Sequence, residues 1–271
     1  MLNPKKVSNM EKLIEKLKEF GENRTAALKK SPKKWDDNVV AECFAPIAEY
    51  VLLNGYFLIN NEYIIDIGAI ELYYHEEDGD IKDHIMYHTN EHPSKSKVYK
   101  LNNGFPYFKI GSLNPHQSGV DITFENDVNK EDKYRASFLI RSYRVLESEQ
   151  DLNNMDIPFD NCSTHIFDDM FYEGVSFDNE NGKTIKWIEL KSSKEKNIEK
   201  PLPRKNVAWY RKNGDKFEKV TESDYKADEK KYNDDGYSKP VNYPPFFRYN
   251  GKSFLQDPKL WQFKRKGIKE Q

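Results

Sequence analysis

The chain has 271 residues, 37% hydrophobic and 32% charged, with net charge −2 and a pI of about 6.3. That length suits one large domain or two small ones, and the charge balance excludes a uniformly basic nucleic-acid binder. No run approaches the roughly 18 apolar residues of a membrane span, and the opening MLNPKKVSNMEKL lacks the apolar stretch of a secretory signal. Cys43 and Cys162 form no metal or redox spacing, so a cytoplasmic location is expected and neither cofactor nor membrane is implied.

Charge is unevenly distributed. Residues 1–34 carry ten Lys/Arg against four Glu, and 183–220 carry twelve Lys/Arg against five acids. Residues 147–181 hold acids and no Lys or Arg. Two basic segments flanking a site would suit phosphate, with the acidic one set apart.

In chain order, Ser8 and Glu11 form a capping box, and Met10, Leu13, Ile14, Leu17 and Phe20 recur at helical spacing until Gly21, the expected stop. This basic amphipathic helix and a linker, KKSPKKW, make up an N-terminal extension over 1–35. Residues 36–271 form one α+β domain with a polar insertion around 221–243. Val39 to Leu53 reads as a helix interrupted by Pro46. Tyr56–Ile59 and Tyr63–Leu72 read as a hairpin turning at Asn60–Asn61, since Asn tolerates positive φ.

Further strands are expected at 105–110, 120–124, 134–146 and 182–190. Pro115–Gly119 is a break, 147–165 a loop, 166–172 a short helix, FFRY the last strand and KRKGIKEQ a basic tail. Short connections between successive strands argue for an antiparallel sheet.

The stretch 64–88, IIDIGAIELYYHEEDGDIKDHIMYH, concentrates the unusual residues. Strand alternation sets Ile65, Ile67, Ala69, Glu71 and Tyr73 on one face. A carboxylate in an apolar strand is costly unless paired. Arg141 in ASFLIRSYRVL is the natural partner, sharing a face with Leu139, Tyr143 and Val145. The pair is either a structural ion pair or a carboxylate oriented to hold water as general base. His84, His88 and His92 are spaced by four beside an acidic loop, which raises a metal site. Asn90 and Pro93 disfavour the aligning helix and no H-E-x-x-H occurs, so no metal is expected. P-loop, G-x-G-x-x-G and G-x-S-x-G patterns are absent.

Taken together, these segments resemble the methylpurine (alkyladenine, 3-methyladenine) DNA glycosylase family. Glu71-Leu72-Tyr73 resembles its E-A-Y. His88-Thr89 resembles its histidine before a hydroxyl residue, and Gly111-Ser112-Leu113 its G-T-L turn. Leu139-Ile140-Arg141-Ser142 resembles L-L-R-A, and Pro203-Arg204-Lys205-Asn206-Val207 resembles P-R-x-x-V, in order across about 36–250.

The resemblance implies a single α+β domain on a curved antiparallel sheet with surrounding helices, acting as a monomeric N-glycosidase of base excision repair on a flipped, modified base in DNA. Glu71 would activate water, Arg141 and the Val207 carbonyl would hold it, and Tyr73 with His88 or His84 would sandwich the base. His116 is a further base-contact candidate. It lies in Asn114–Gly119, where the family carries tyrosines that wedge into the duplex. Glu125 stands near a position that is asparagine in the family. Without an aromatic wedge, DNA and a free nucleoside both remain as substrates. A non-catalytic nucleic-acid or ligand-binding protein on this scaffold and a metal-dependent hydrolase are the alternatives.

Overall fold

The computed structural model describes residues 10–76, 78–83, 86, 108–116, 119–126, 133–161, 185–194, 197–204, 209–213, 216–220, 246–249, 252–255 and 259–270. The fold is α+β. Helix α1 spans Met10–Lys30 and α2 Asp37–Leu53. The strands are β1 (Gly55–Ile59), β2 (Tyr63–Glu76), β3 (Leu113–His116), β4 (Gly119–Thr123), β5 (Tyr134–Leu146) and β6 (Asp160–Asn161), followed by β7 (Ile185–Glu189). The rest are β8 (Trp209–Asn213), β9 (Lys216–Val220), β10 (Phe246–Tyr249), β11 (Lys252–Leu255) and β12 (Gln262–Lys264).

Among the described residues an eight-stranded antiparallel sheet runs β3-β4-β5-β2-β1-β7, with β12 also on β2 and β6 also on β5. A smaller sheet runs β10-β11-β8-β9. The long β2–β5 pair is the spine. Each spine strand shares its outer edge between two partners: β1 then β12 along β2, and β4 and β6 along β5.

The two helices cover one face of the large sheet. From α1, Leu13, Leu17 and Phe20 enter the same core as Phe44, Ile47 and Val51 of α2 and Ile70, Leu72, Phe138 and Ile140 of the spine. The expected N-terminal extension is therefore part of that core. Helix α1 continues through Gly21, where a Cβ would stand 3.0 Å from the Tyr134 hydroxyl, so this glycine serves close packing instead of a helix stop. Asp36 caps α2 by accepting from the Asn38 and Val39 amides, and Pro46 is carried inside that helix. Phe44 stacks on Phe124 with centroids 5.6 Å apart.

Asn60 and Asn61 turn the β1–β2 hairpin at φ 55 and 60, as their sequence signals. Elsewhere the expectations shift. Residues 108–110 are turn, not strand; Leu113–His116 is a strand despite Pro115. FFRY begins a hairpin instead of ending in the last strand, a further strand (β12) runs from Gln262 into the supposed basic tail, and Arg265 of that tail is buried. Loop 147–165 contains a short 3-10 turn over Glu149–Asn153 as well as β6. The capping Ser8, the expected helix 166–172 and the insertion 221–243 lie outside the described residues.

Candidate active site

The β2–β5 ladder contains two irregularities that decide which way its polar side chains face. Ile67 pairs with Tyr143, Ala69 with Ser142 and Ile70 with Ile140, so Gly68 is an extra residue on β2 and Arg141 an extra residue on β5. A bulge interrupts strand alternation. Ile65 and Ile67 join the helix-side core and so do Ile70, Leu72 and Tyr74, which leaves Glu71 and Tyr73 on the opposite face. The single face expected for Ile65 through Tyr73 is thus broken at Gly68. Tyr143 likewise enters the core with Ile140 and does not share the Arg141 face. Gly68 is required sterically: a Cβ would lie 2.5 Å from Phe159 and 2.6 Å from the Ser142 hydroxyl.

On that face a row of directly opposed residues crosses four strands: Gln262, Glu71, Leu139 and Asp121. The adjacent row is Tyr73, Ser137 and Thr123. Glu71 is fully buried. Its Oε2 accepts from Arg141 Nε at 2.6 Å and from the Tyr73 hydroxyl at 3.1 Å, and its Oε1 accepts from Gln262 Nε2 at 3.2 Å. Arg141 also donates to the Tyr73 hydroxyl at 3.2 Å, closing a triangle. The Arg141 side chain keeps 13% of its surface exposed, and Tyr73 is half-buried, so this end of the triangle meets solvent while Glu71 does not.

Burial raises the Tyr73 pKa, and the Glu71 charge raises it further. Tyr73 therefore stays a neutral hydroxyl, a donor to Glu71. Burial works against the Arg141 charge, but Tyr73 and Glu71 outweigh it and raise its pKa.

Arg204 builds the wall beside this triangle. Its guanidinium lies 4.4 Å from the Tyr73 ring centroid and 5.3 Å from that of Trp261. It grips Asp83 in a two-pronged pair at 2.8 and 3.1 Å and donates to the Leu72 carbonyl at 3.2 Å. The acidic loop after β2 is thus not a solvated patch at its ends, because Asp83 is buried on Arg204 and Glu76 on Arg24.

Farther along β2, buried Asp66 meets three cations: Lys194 at 2.7 Å, and Arg144 and Arg265 each at 2.8 Å. Burial pulls the Lys194 pKa down to about 8. All three Lys194 donations are used, on Asp66 and the carbonyls of Leu52 and Gly55. This cluster is structural in character.

The chain matches no protein-family model, no curated protein and no solved structure. Glu71, Arg141 and Tyr73 are brought together. Val207, His84, His88 and His92 lie outside the described residues; of His116 only the backbone, paired with Gly119 in β3, is described. Among the described residues no cluster of three or more His, Cys, Asp or Glu is placed to hold a metal ion, and no helix is long and apolar enough to cross a membrane.

The acidic segment is not set apart as expected: its described part, 147–161, packs on the Glu71 side through Arg144 and β6. Of the second basic segment, Arg204 stacks on Tyr73 beside Glu71 and Lys194 meets Asp66 farther along the same face, whereas Ile185 and Trp187 enter the helix-side core and α1 packs on that side too. A groove of about 850 Å³ also lies away from Glu71, between α1 residues such as Lys18 and Thr25 and the segment Phe108–Ile110.

Sequence reasoning missed Gln262, Asp121 and the Arg204 stack. Asp121 gives the same signal as Glu71, a charge at an alternating position of an apolar strand. Gln262 gives none, because its strand is three residues long.

Proposed function

We propose that this chain is an N-glycosidase of the methylpurine DNA glycosylase type, in which Glu71 activates the water that displaces a base from C1′ of its sugar. The observation that carries the reading is a fully buried carboxylate under Arg141 and Tyr73, whose other faces reach solvent. N-glycosidic cleavage develops positive charge on the sugar, which a nearby carboxylate stabilises, and an aromatic ring offers a base a stacking surface. Arg204 covers Tyr73 from one direction, and in this reading a base stacks on the opposite face of the ring. Arg141 orients the carboxylate, and Tyr73 keeps its proton and hydrogen-bonds Oε2.

A modified base in DNA is the proposed substrate, met by a monomer. The experiment is single-turnover base release from alkylated, deaminated and undamaged oligonucleotides and from free nucleosides. Glu71→Gln preserves volume and should lower release by about 10²–10⁴-fold. Full activity of Glu71→Gln would reject the proposal.

A second reading has one observation in its favour. Three donors already occupy Glu71, and the sizeable groove lies elsewhere. That arrangement suits a scaffold that binds nucleic acid or another ligand without cleaving it. Tight binding of modified-base DNA with no release from any substrate would establish this alternative.

A further inference from the structure

We infer that Gln262 is the positioning residue of the Glu71 carboxylate, holding the oxygen that takes the proton of the attacking water; this rests on the N-glycosidase reading of Glu71. The division of contacts between the two carboxylate oxygens carries it. Oε2 accepts from the Arg141 guanidinium at 2.6 Å and from the Tyr73 hydroxyl at 3.1 Å. Oε1 accepts from the Gln262 side-chain amide at 3.2 Å. A bond from a guanidinium is charge-assisted and draws more of the negative charge than a bond from a neutral amide. Of the two oxygens Oε1 is therefore the more basic, and Gln262 is the group that fixes where it points.

The amide is itself held in place. Gln262 stands directly opposite Glu71 in the β12–β2 ladder and is 1% exposed. On its other edge its backbone N–H donates to the Leu202 carbonyl and its carbonyl accepts from the Leu202 N–H, both at 2.9 Å. Just before it, the Trp261 carbonyl accepts from the Leu72 amide at 2.8 Å. A buried side chain on a backbone bonded along both edges is preorganised to aim at one atom. The last torsion of a glutamate, by contrast, is broad. Without the amide the carboxylate turns beneath Arg141 and Tyr73, and Oε1 loses its direction towards the water.

Gln262 forms and breaks no bond in the reaction. The water oxygen bonds to C1′, one water proton passes to Glu71 Oε1, and the electron pair of the C1′–N bond leaves with the base. The C-terminal strand, 191 positions from Glu71, thereby becomes part of the reacting centre. Strand β12 brings the amide to Oε1, and the Leu202–Arg204 segment beside it brings the Arg204 guanidinium to Tyr73.

The test is a double-mutant cycle read by single-turnover base release from alkylated and deaminated oligonucleotides, with abasic-oligonucleotide binding and melting curves for each protein. Gln262→Met keeps the volume and removes the donor. It should lower the release rate at saturating enzyme by about 10-fold to 10²-fold. Oligonucleotide affinity should stay within about twofold, because Gln262 acts through Glu71 and not on the substrate. In the Glu71→Gln background the same substitution should lower release no further, since the base it positions is already gone. An equal loss in both backgrounds, or full activity of Gln262→Met, would overturn the positioning role and leave Glu71 standing. If Gln262→Met does not fold, Gln262→Asn, whose amide is drawn back by one methylene, takes its place with the same outcomes. A wild type that releases no base overturns the N-glycosidase reading and this inference together.

Discussion

Replacing Asp66 by Asn should be the most damaging single substitution on β2, and the contacts indicate which neighbour suffers. Asp66 is the shared carboxylate of Lys194, Arg144 and Arg265, each side chain no more than 2% exposed. Losing the carboxylate is partly relieved at Lys194, whose pKa is already pulled down to about 8, because it can shed its proton. The two arginines cannot. Arg144 keeps the carbonyls of Asp151, Leu152, Asn154 and Ile157. Arg265 keeps far less. Its Nε has no partner, its second terminal nitrogen has only the Met155 sulfur at 3.9 Å, and both bonds of the first go to Asp66. Breaking a buried ion pair costs about 3–5 kcal/mol. That is a fifth or more of a typical stability of roughly 5–15 kcal/mol. Urea unfolding at pH 7 reads this directly. Adding Arg265→Met to Asp66→Asn should recover part of the loss, and adding Arg144→Met should recover none. An Asp66→Asn midpoint equal to the wild type, or rescue by Arg144→Met alone, would refute the reasoning.

Other outcomes follow from the same contacts. The folded Lys194 pKa of about 8 lies below the usual 10.5, so between those values the unfolded chain holds more protons and stability should rise with pH; the rise, read from urea midpoints at pH 7.5 and 9.5, should vanish in Lys194→Met. Gly68→Ala forces a Cβ against Phe159 and Ser142 and should cost about 1–3 kcal/mol by melting, with Ser142→Gly as a partial rescue. Arg141→Ala should lower both base release and stability, the latter by ~3 kcal/mol, whereas Glu71→Gln should lower the melting temperature less than Asp66→Asn does, because Arg141 is 13% exposed and keeps the Tyr73 hydroxyl. Binding of an abasic oligonucleotide, followed by fluorescence anisotropy, should weaken steeply with salt if phosphates meet the basic residues around Arg204.

What could be read from the chain divides along local and non-local lines. Asn60 and Asn61, the helical periodicity of α1 and the need of Glu71 and Arg141 for each other all follow from near neighbours and from the cost of burying charge. Unbroken alternation passed over Gly68, a glycine inside a β-branched strand, which is where the bulge falls; a glycine does not announce that its effect is to flip the next residues to the opposite face. Pro115 looks like a breaker, yet it sits in β3 at the end of the strand order, where a missing N–H costs no ladder bond. Strand β12 was illegible because it is three residues long and its sequence, inside a basic stretch, looks like a tail. Its stability comes from β2 and from the Arg265–Asp66 pair, which lie about 200 positions upstream.

Among the described residues, strand β2 and the loop after it carry four buried carboxylates, and each receives a cation from a remote segment. Asp66 takes Arg144, Lys194 and Arg265, Glu71 takes Arg141, Glu76 takes Arg24, and Asp83 takes Arg204. Buried pairs contribute little net stability compared with apolar packing, but a cation left without its carboxylate is expensive, so such pairs penalise wrong docking of α1, β5 and the C-terminal strand. Their common chemistry would make all four equal candidates for a reactive site. Exposure separates them. The cations on Asp66, Glu76 and Asp83 are 0–6% exposed, whereas Arg141 is 13% exposed and touches the hydroxyl of half-buried Tyr73. Glu71 is also the one of the four with a second carboxylate, Asp121, in its own cross-strand row. Three of the pairs can therefore only hold the chain together. The fourth holds it while presenting a charged donor, a hydroxyl and an aromatic ring to whatever enters from solvent.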